Sequence, residues 1–223
     1  MRQIILDTET SGLDFEKDRI IEIGCLELVD GNYTGEKFHR YYKPDNIIIT
    51  SESEEIHGLN NEFLSKFETF DNAIDALLEF LNEDQLVIHN AQFDLSMINN
   101  ALKRLGKKPI SRESSICTLE IARKKFPGSK NNLNALCRRF GVSLESREKH
   151  GALTDSFLLL QVYNELLGGK QQLLELDLKK TDIVKKSEDA LKNNKLSPIE
   201  ISQDEIKEHE KMLEELHKNV WSS

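Results

Sequence analysis

The chain has 223 residues, 31% of them charged and 38% hydrophobic, with a formal net charge of −9; this suits one folded domain with a smaller extension. Its apolar runs are too short to span a bilayer, which excludes a transmembrane protein, so no membrane partner is expected. The opening residues lack the basic and apolar regions of a signal peptide, and three widely spaced cysteines without a CxxC pair indicate reduced thiols. A cytoplasmic location is therefore expected.

Charge is unevenly distributed along the chain. Residues 1–102 contain 7 Lys/Arg against 21 Asp/Glu, residues 103–149 contain 13 against 4, and residues 150–223 contain 10 against 14. A basic block beside an acidic one can bind a phosphate backbone while the acids bind cations. A solvated lysine-rich surface would have the same composition, so both interpretations stay open.

The first third of the chain predicts strands. Residues 3–8 and 20–29 are apolar and rich in β-branched side chains, as in buried strands. An Asp-Gly-Asn turn at 30–32 predicts a hairpin, and residues 44–58 are expected to form a loop.

Helical patterns alternate with short strands in the next part of the chain. Apolar residues recur at helical spacing over 70–83, where Asp71 is an available N-cap. The remaining predicted elements are a strand at 86–89, a helix at 93–106, a strand leading into a helix at 116–128, a short helix at 133–141 capped by Asn131 or Asn132, and a long helix at 152–169. This order predicts an α/β domain around a mixed sheet.

A double glycine at 168–169 marks a change in composition. The chain beyond it is polar, and aromatic residues are missing between Tyr163 and Trp221, so it lacks the means to form a core of its own. We therefore predict a domain at 1–169 and a flexible tail at 170–223.

Four acids and one histidine in three short stretches carry the chemical signal. Asp7 and Glu9 are two residues apart on a predicted strand and share one face. Asp94 opens a predicted helix, and His150 precedes a helix with Asp155 in its first turn. Carboxylate oxygens are the ligands that Mg²⁺ and Mn²⁺ prefer, so convergence of these acids would make a metal-dependent nuclease. Taken alone, Asp7 and Glu9 are more typical of an exposed turn, and Asp94 and Asp155 are readily explained as acids at a helix N-terminus.

The three stretches together are far more specific than any one of them. DTETSG (7–12), HNAQFD (89–94) and HGALTD (150–155) resemble the three exonuclease motifs of the DEDDh family of 3′→5′ exonucleases, in particular its replicative proofreading members. The similarity extends from residue 3 to about residue 169. It implies a ribonuclease H-like mixed five-stranded sheet flanked by helices, followed by the C-terminal tail.

The resemblance also assigns roles to the five residues. Asp7, Glu9, Asp94 and Asp155 would bind two divalent cations, Mg²⁺ or Mn²⁺, and His150 would act as the general base. The implied reaction is hydrolysis at a DNA 3′ end, with release of nucleoside 5′-monophosphates. Mismatched terminal nucleotides would be removed during replication.

Further residues match positions at which the family contacts a single-stranded 3′ terminus through stacking and backbone interactions. These substrate-binding candidates are Thr10, Gly12, Leu13, Glu52, His57, Asn90 and Phe93. Glu52 and His57 are almost equally consistent with an ordinary loop glutamate and turn histidine. His89 is expected to be a structural histidine.

The tail suggests two protein partners. Its segment 171–178 (QQLLELDL) stands where family members carry a sliding-clamp-binding sequence, although an ordinary helical extension would look similar. The last apolar residues of the tail, at 212–221, recur at roughly helical spacing, as in an amphipathic helix that docks on a partner. The resemblance identifies that partner as the polymerase catalytic subunit.

Two other functions remain open at this stage. One is a stand-alone DEDDh exonuclease that trims RNA or DNA 3′ ends, against which the long tail argues. The other is a catalytically silent binding module on the same scaffold, against which the presence of all five expected catalytic residues argues.

Overall fold

A computed structural model describes residues 1–144 and 149–168. The predicted boundary at residue 169 and the partner-binding segments at 171–178 and 212–221 lie outside the described residues, so these expectations remain predictions.

Five strands form one mixed sheet in the order β3-β2-β1-β4-β5. The strands are β1 (Arg2–Thr10), β2 (Ile20–Val29), β3 (Asn32–Tyr41), β4 (Gln85–Ile88) and β5 (Ser115–Cys117). The first three are antiparallel neighbours, whereas β4 and β5 run parallel to β1. This arrangement confirms the predicted mixed five-stranded sheet.

Seven α-helices accompany the sheet within the described residues. They are α1 (Ser51–His57), α2 (Asn61–Leu64), α3 (Phe70–Leu81), α4 (Ala91–Arg104), α5 (Thr118–Lys125), α6 (Leu133–Phe140) and α7 (Ala152–Leu166). Each of these helices is too short or too polar to cross a membrane.

Alternation along β1 divides the core into two layers. Ile4 and Leu6 pack with α3 and α4, whereas Ile5 packs with α5, α6 and α7. All three side chains are fully buried, and burial of one such side chain contributes roughly 1.5–3 kcal/mol. The central strand β1 is therefore packed on both faces. The side chains at its C-terminal end continue to alternate between these two faces.

The expected loop at 44–58 is observed over 44–50 but is wrong over 51–57, which α1 occupies. Its amphipathic signal is weak, with Ile56 as its single large apolar residue. Capping defines it: the Thr50 hydroxyl accepts a hydrogen bond from Ser53 N at 3.3 Å, and Gly58 ends it with a φ of +79°.

Other helix boundaries were close to the predictions. Thr69, not Asp71, precedes α3; Asp71 lies in the first turn and pairs with Arg104 at 2.7 Å. Asn132 is the cap of α6, with its side-chain oxygen accepting from Ala135 N at 2.8 Å. The three cysteines are buried free thiols, as expected.

Candidate active site

The end of β1 presents two acids toward α7. Asp7 and Glu9 follow Ile5 on the odd-numbered face of the strand, and Thr8 between them is buried on the opposite face. The predicted placement of both acids on one face is therefore observed.

Asp94 reaches this strand from the other layer. It lies in the first turn of α4 and is 4% exposed, and its Oδ1 accepts hydrogen bonds from Thr8 N at 3.1 Å and Thr8 Oγ1 at 2.8 Å. Burial raises the pKa of Asp94 to about 7, and the two Thr8 bonds oppose the increase. A buried carboxyl group perturbed in this way, beside two more acids, is typical of a functional site.

Gly24 allows α7 to approach the sheet at the level of Asp7. It is the cross-strand partner of Asp7, and a Cβ at this position would collide with the backbone of Leu153 at the start of α7. Ser156 Oγ donates to the Gly24 carbonyl at 2.9 Å, which fixes the helix on the strand. A glycine inside an apolar strand is the sequence signal for such close approach, and sequence reasoning missed it.

This packing brings three predicted residues together. Glu9, His150 and Asp155 each offer a ligand atom, and these atoms all lie within 4.8 Å of one another. Asp155 is 5% exposed and His150 46% exposed, with 3.4 Å between Asp155 Oδ2 and His150 Nδ1. Carboxylate oxygens with one imidazole are a donor set that suits a small divalent cation.

Glu22 is a further acid beside the cluster that sequence reasoning missed. It is 3% exposed and is the cross-strand partner of Glu9 on β2. Its Oε1 lies 2.8 Å from His39 Nε2, which compensates part of the cost of burying the carboxylate. A lone glutamate within an otherwise apolar strand was the available signal.

The predicted substrate-binding residues lie at and after the end of β1, at the start of α4 and on α1. Thr10 Oγ1 donates to the Gly12 carbonyl at 2.6 Å, and Leu13 beyond it is 82% exposed. Asn90 adopts a left-handed φ of 68° immediately before α4, and Phe93 packs at the edge of the α3–α4 layer. An exposed leucine next to a tight turn is available for contact with a base.

Glu52 and His57 lie at opposite ends of α1. Glu52 is exposed in the first turn, whereas His57 is 6% exposed. Leu59 N donates to His57 Nδ1 at 3.0 Å, and burial lowers the pKa of His57, so the neutral ring carries its proton on Nε2. Among the described residues, Nε2 has no hydrogen-bond partner. His57 is thus a buried donor, and not an ordinary turn histidine.

His89 has the structural character that was expected. Its Nδ1 lies 2.9 Å from Thr118 Oγ1, and burial lowers its pKa to about 4, so the ring is neutral near pH 7.

Part of the basic block at 103–149 lies next to the second motif, HNAQFD (89–94). Arg123 near the end of α5 and Asn132 at the start of α6 line a cavity of about 760 Å³ together with His89 and Asn90. A guanidinium beside a helix N-terminus favours anions, so this cavity suits a phosphate of a nucleic-acid strand.

The mixed sheet and the acidic cluster at its centre define the class of metal-dependent nucleases with a ribonuclease H-like fold. Comparison with known proteins gives the same class. A family model described as exonuclease matches residues 4–163. Among solved structures, exonuclease X in complex with 5′ overhanging duplex DNA has a TM-score of 0.60 at 22% identity, covering 76% of this chain and 93% of that one. Escherichia coli exonuclease I in complex with a dT13 oligonucleotide has a TM-score of 0.65 at 18% identity, covering 78% and 43%.

Curated relatives are more specific. DNA polymerase III subunit epsilon of Rickettsia conorii is 39% identical over 99% of both chains. The protein of that name in Escherichia coli is 39% identical over 77% of this chain and 74% of its own. The chain therefore belongs to the exonuclease family, in the branch formed by the epsilon subunits of DNA polymerase III.

Proposed function

We propose that the chain is the proofreading 3′→5′ exonuclease of a bacterial DNA polymerase III, removing mismatched 3′-terminal nucleotides from DNA. The observation that carries the proposal is the convergence of Glu9, His150 and Asp155 within 4.8 Å, with Asp7 two residues before Glu9 on β1 and Asp94 bonded to Thr8 between them. The relatives named as epsilon subunits over nearly the whole chain support the replicative role.

Asp7, Glu9, Asp94 and Asp155 would hold two divalent cations, Mg²⁺ or Mn²⁺. Oxygen donors of this kind fit hard cations, and a carboxyl as deeply buried as Asp94 is costly to ionise unless positive charge is near. When bound, such a pair supplies activation of the attacking water and stabilisation of the charge that develops at the scissile phosphate.

His150 would act as the general base. Its ring is half-exposed at the mouth of the cluster, where water can reach it, and an imidazole accepts protons readily near neutral pH. Asp155 Oδ2, 3.4 Å from Nδ1, favours one orientation of the ring. The attacking water gives a proton to His150 as its oxygen bonds to phosphorus, the bond between phosphorus and the 3′ oxygen of the preceding nucleotide breaks, and that oxygen takes a proton from solvent. The products are a nucleoside 5′-monophosphate and a DNA chain shorter by one nucleotide.

The terminal nucleotide would be held between β1 and α1. Leu13 is exposed enough to wedge against the last base, and the Nε2–H of His57 is a buried donor suited to a sugar or phosphate oxygen. Thr10, Gly12, Glu52, Asn90 and Phe93 complete the proposed substrate-binding set. The cavity beside Arg123 would take the backbone of the preceding nucleotides.

Partner binding is proposed for the tail. Residues 170–223 would bind the polymerase catalytic subunit, and 171–178 the sliding clamp, in the cytoplasm. Deletion of 170–223 should leave exonuclease activity on free DNA and abolish co-elution with the polymerase subunit.

Nuclease assays with 5′-labelled oligonucleotides test the proposal. With Mg²⁺, the chain should shorten single-stranded and mismatched DNA stepwise from the 3′ end and release 5′-monophosphates. An RNA oligonucleotide of the same sequence distinguishes the alternative, because a strong preference for RNA would assign the chain to RNA-end trimming. The His150→Gln variant is the matched control, since it retains the carboxylates but lacks the base.

A further inference from the structure

The two residues that precede Gly151 and α7 dock on the last turn of α1. His150 N donates to the Ile56 carbonyl at 3.0 Å, and Lys149 Nζ lies 3.5 Å from the Glu54 carbonyl. Both acceptors belong to the C-terminal turn of a helix, where carbonyl groups and the helix dipole favour a cation. The backbone and the side chain of this short segment therefore contact the same end of the same helix.

Gly58 leaves room for the methylene chain of Lys149 to lie against α1. The glycine follows α1 with a φ of +79°, and a Cβ built on it would lie 2.7 Å from Lys149 Cδ. The methylene chain of Lys149 thus lies directly against the glycine backbone before its ammonium group reaches Glu54. A larger residue at 58 would be strained and would displace the stem.

Helix α1 also contacts the chain that follows β1. Ser53 Oγ donates to the Ser11 carbonyl at 3.3 Å, directly after β1. His57, at the other end of α1, has a pKa that burial lowers, that Glu22 and Glu54 raise, and that the nearby Lys149 and His150 lower. Movement of the 149–150 segment relative to α1 would therefore change the position of His150 over the cluster.

We propose that Lys149 is a positioning residue that fixes His150 over the acidic cluster by docking residues 149–150 on the C-terminal end of α1. We call this contact between Lys149 and α1 the latch. The inference rests on the role of His150 as general base in the proposed function. A surface contact of this kind adds little to global stability, since the sheet and its two layers hold the fold. Its effect is on placement, and small misplacements of a catalytic group cost large factors in rate.

Kinetics of Lys149→Met and Lys149→Arg test the latch on the full chain with single-stranded DNA. Methionine keeps an apolar stem and removes the donor, so kcat should fall about tenfold while KM stays within about twofold. Arginine keeps a stem and a donor and should restore most of kcat. A rise in KM with unchanged kcat would overturn the latch, because it would identify Lys149 as a direct phosphate contact.

Two glycines provide a matched pair for the stem contact. Gly58 and Gly31 share a φ of +79°, but a Cβ on Gly31 would meet nothing within 4 Å. Both alanine variants carry similar backbone strain, so a thermal melt should show similar losses of stability. Gly58→Ala should lower kcat about tenfold or more, whereas Gly31→Ala should not. Equal kcat in the two variants would contradict the latch.

Amide hydrogen exchange at His150 tests the latch without activity. The His150 N–H is bonded to the Ile56 carbonyl, so its exchange in the metal-free full chain reports docking on α1. Lys149→Met should accelerate it about tenfold and Lys149→Arg should not. Unchanged exchange in Lys149→Met overturns the latch. If the wild type shows no nuclease activity, the proposed function fails, and the exchange result still decides whether the latch exists.

Discussion

The two sides of the site are built in opposite ways. On the side formed by β1 and α4, Asp94 is 4% exposed and held by two bonds from Thr8. On the side formed by α1 and residues 149–150, His150 is 46% exposed and its backbone N–H donates to the Ile56 carbonyl on α1. Asp94 is thus buried in the core and Asp7 and Glu9 on β1 are half-buried, whereas the imidazole is carried by a surface segment.

This difference separates metal binding from proton transfer. Several converging carboxylates need a rigid frame, because their mutual repulsion would otherwise push them apart. A proton acceptor needs access to water and to the substrate. Changes on the β1–α4 side should therefore affect metal affinity and stability, and changes on the α1 side should affect rate.

The largest expected effect is that of Asp7→Ala. The variant removes a proposed metal ligand at the end of β1, so Mg²⁺-dependent nucleotide release should fall by about 10³-fold or more while circular dichroism shows an intact fold. His150→Gln should also lose activity but should retain Mn²⁺ binding, as measured by calorimetry. Undiminished nucleotide release by Asp7→Ala would refute the metal assignment.

Gly24→Ala should disturb the carboxylate side through packing. The added methyl group collides with the backbone of α7 and forces the helix that carries Asp155 away from β2. We expect a loss of roughly 2–3 kcal/mol in the free energy of unfolding, together with loss of activity. Urea denaturation measures the first quantity. Wild-type stability in this variant would show that α7 is not seated on Gly24.

Thr8→Val should sharpen the assignment of Asp94. The substitution keeps the shape of the side chain but removes the hydroxyl that donates to Asp94 at 2.8 Å. Loss of such a supporting bond weakens metal binding by about 10–100-fold, so the Mg²⁺ concentration for half-maximal activity should rise accordingly. Thr34→Val on the exposed β3 is the control and should leave the Mg²⁺ dependence unchanged. Equal Mg²⁺ requirements for Thr8→Val and the wild type would contradict the supporting role.

The smallest expected effect is a pH dependence of stability. Burial raises the pKa of Asp94 to about 7 in the folded metal-free protein, above its ordinary value of 3.8, so the folded state binds the proton more tightly. The stability that the protonated Asp94 carboxyl contributes is fully present below about pH 4 and is lost as the pH rises through about 7.

Melting in EDTA between pH 5 and pH 8 measures this decline. Over this range the melting temperature of the wild type should fall by roughly 5 °C more than that of Asp94→Asn, which cannot ionise. Parallel pH profiles of the two proteins would show that the Asp94 carboxyl is not buried in the metal-free state. Saturating Mg²⁺ should raise the melting temperature of the wild type at pH 8.

Most of the fold could be predicted from the sequence because periodicity marks buried strands and amphipathic helices. Residues 20–29 and 70–81 have strong patterns and form β2 and α3 close to their expected bounds. The segment 51–57 has a single large apolar residue, so α1 was missed. Thr50 before it and Gly58 after it were capping signals that could have identified the helix.

The sequence names the residues of the proposed site but not the contacts that position them. Asp7, Glu9, Asp94, His150 and Asp155 followed from three motifs, because their residue types and order are distinctive. The Thr8–Asp94 bonds, the seat of α7 on Gly24 and the docking of Lys149 on α1 depend on packing between residues 86, 132 and 95 positions apart. Such contacts depend on tertiary structure: a glycine inside an apolar strand signals a close approach, as at Gly24, but does not tell which element approaches it.

A crystal of the chain soaked with Mn²⁺ and a nucleoside 5′-monophosphate gives the most direct test of the central claim. Anomalous scattering should place two Mn²⁺ ions among Asp7, Glu9, Asp94 and Asp155, with the nucleotide phosphate bound to them and His150 facing the phosphate. Mn²⁺ peaks elsewhere on the chain, with none at this cluster, would contradict the assignment of these carboxylates as the catalytic centre.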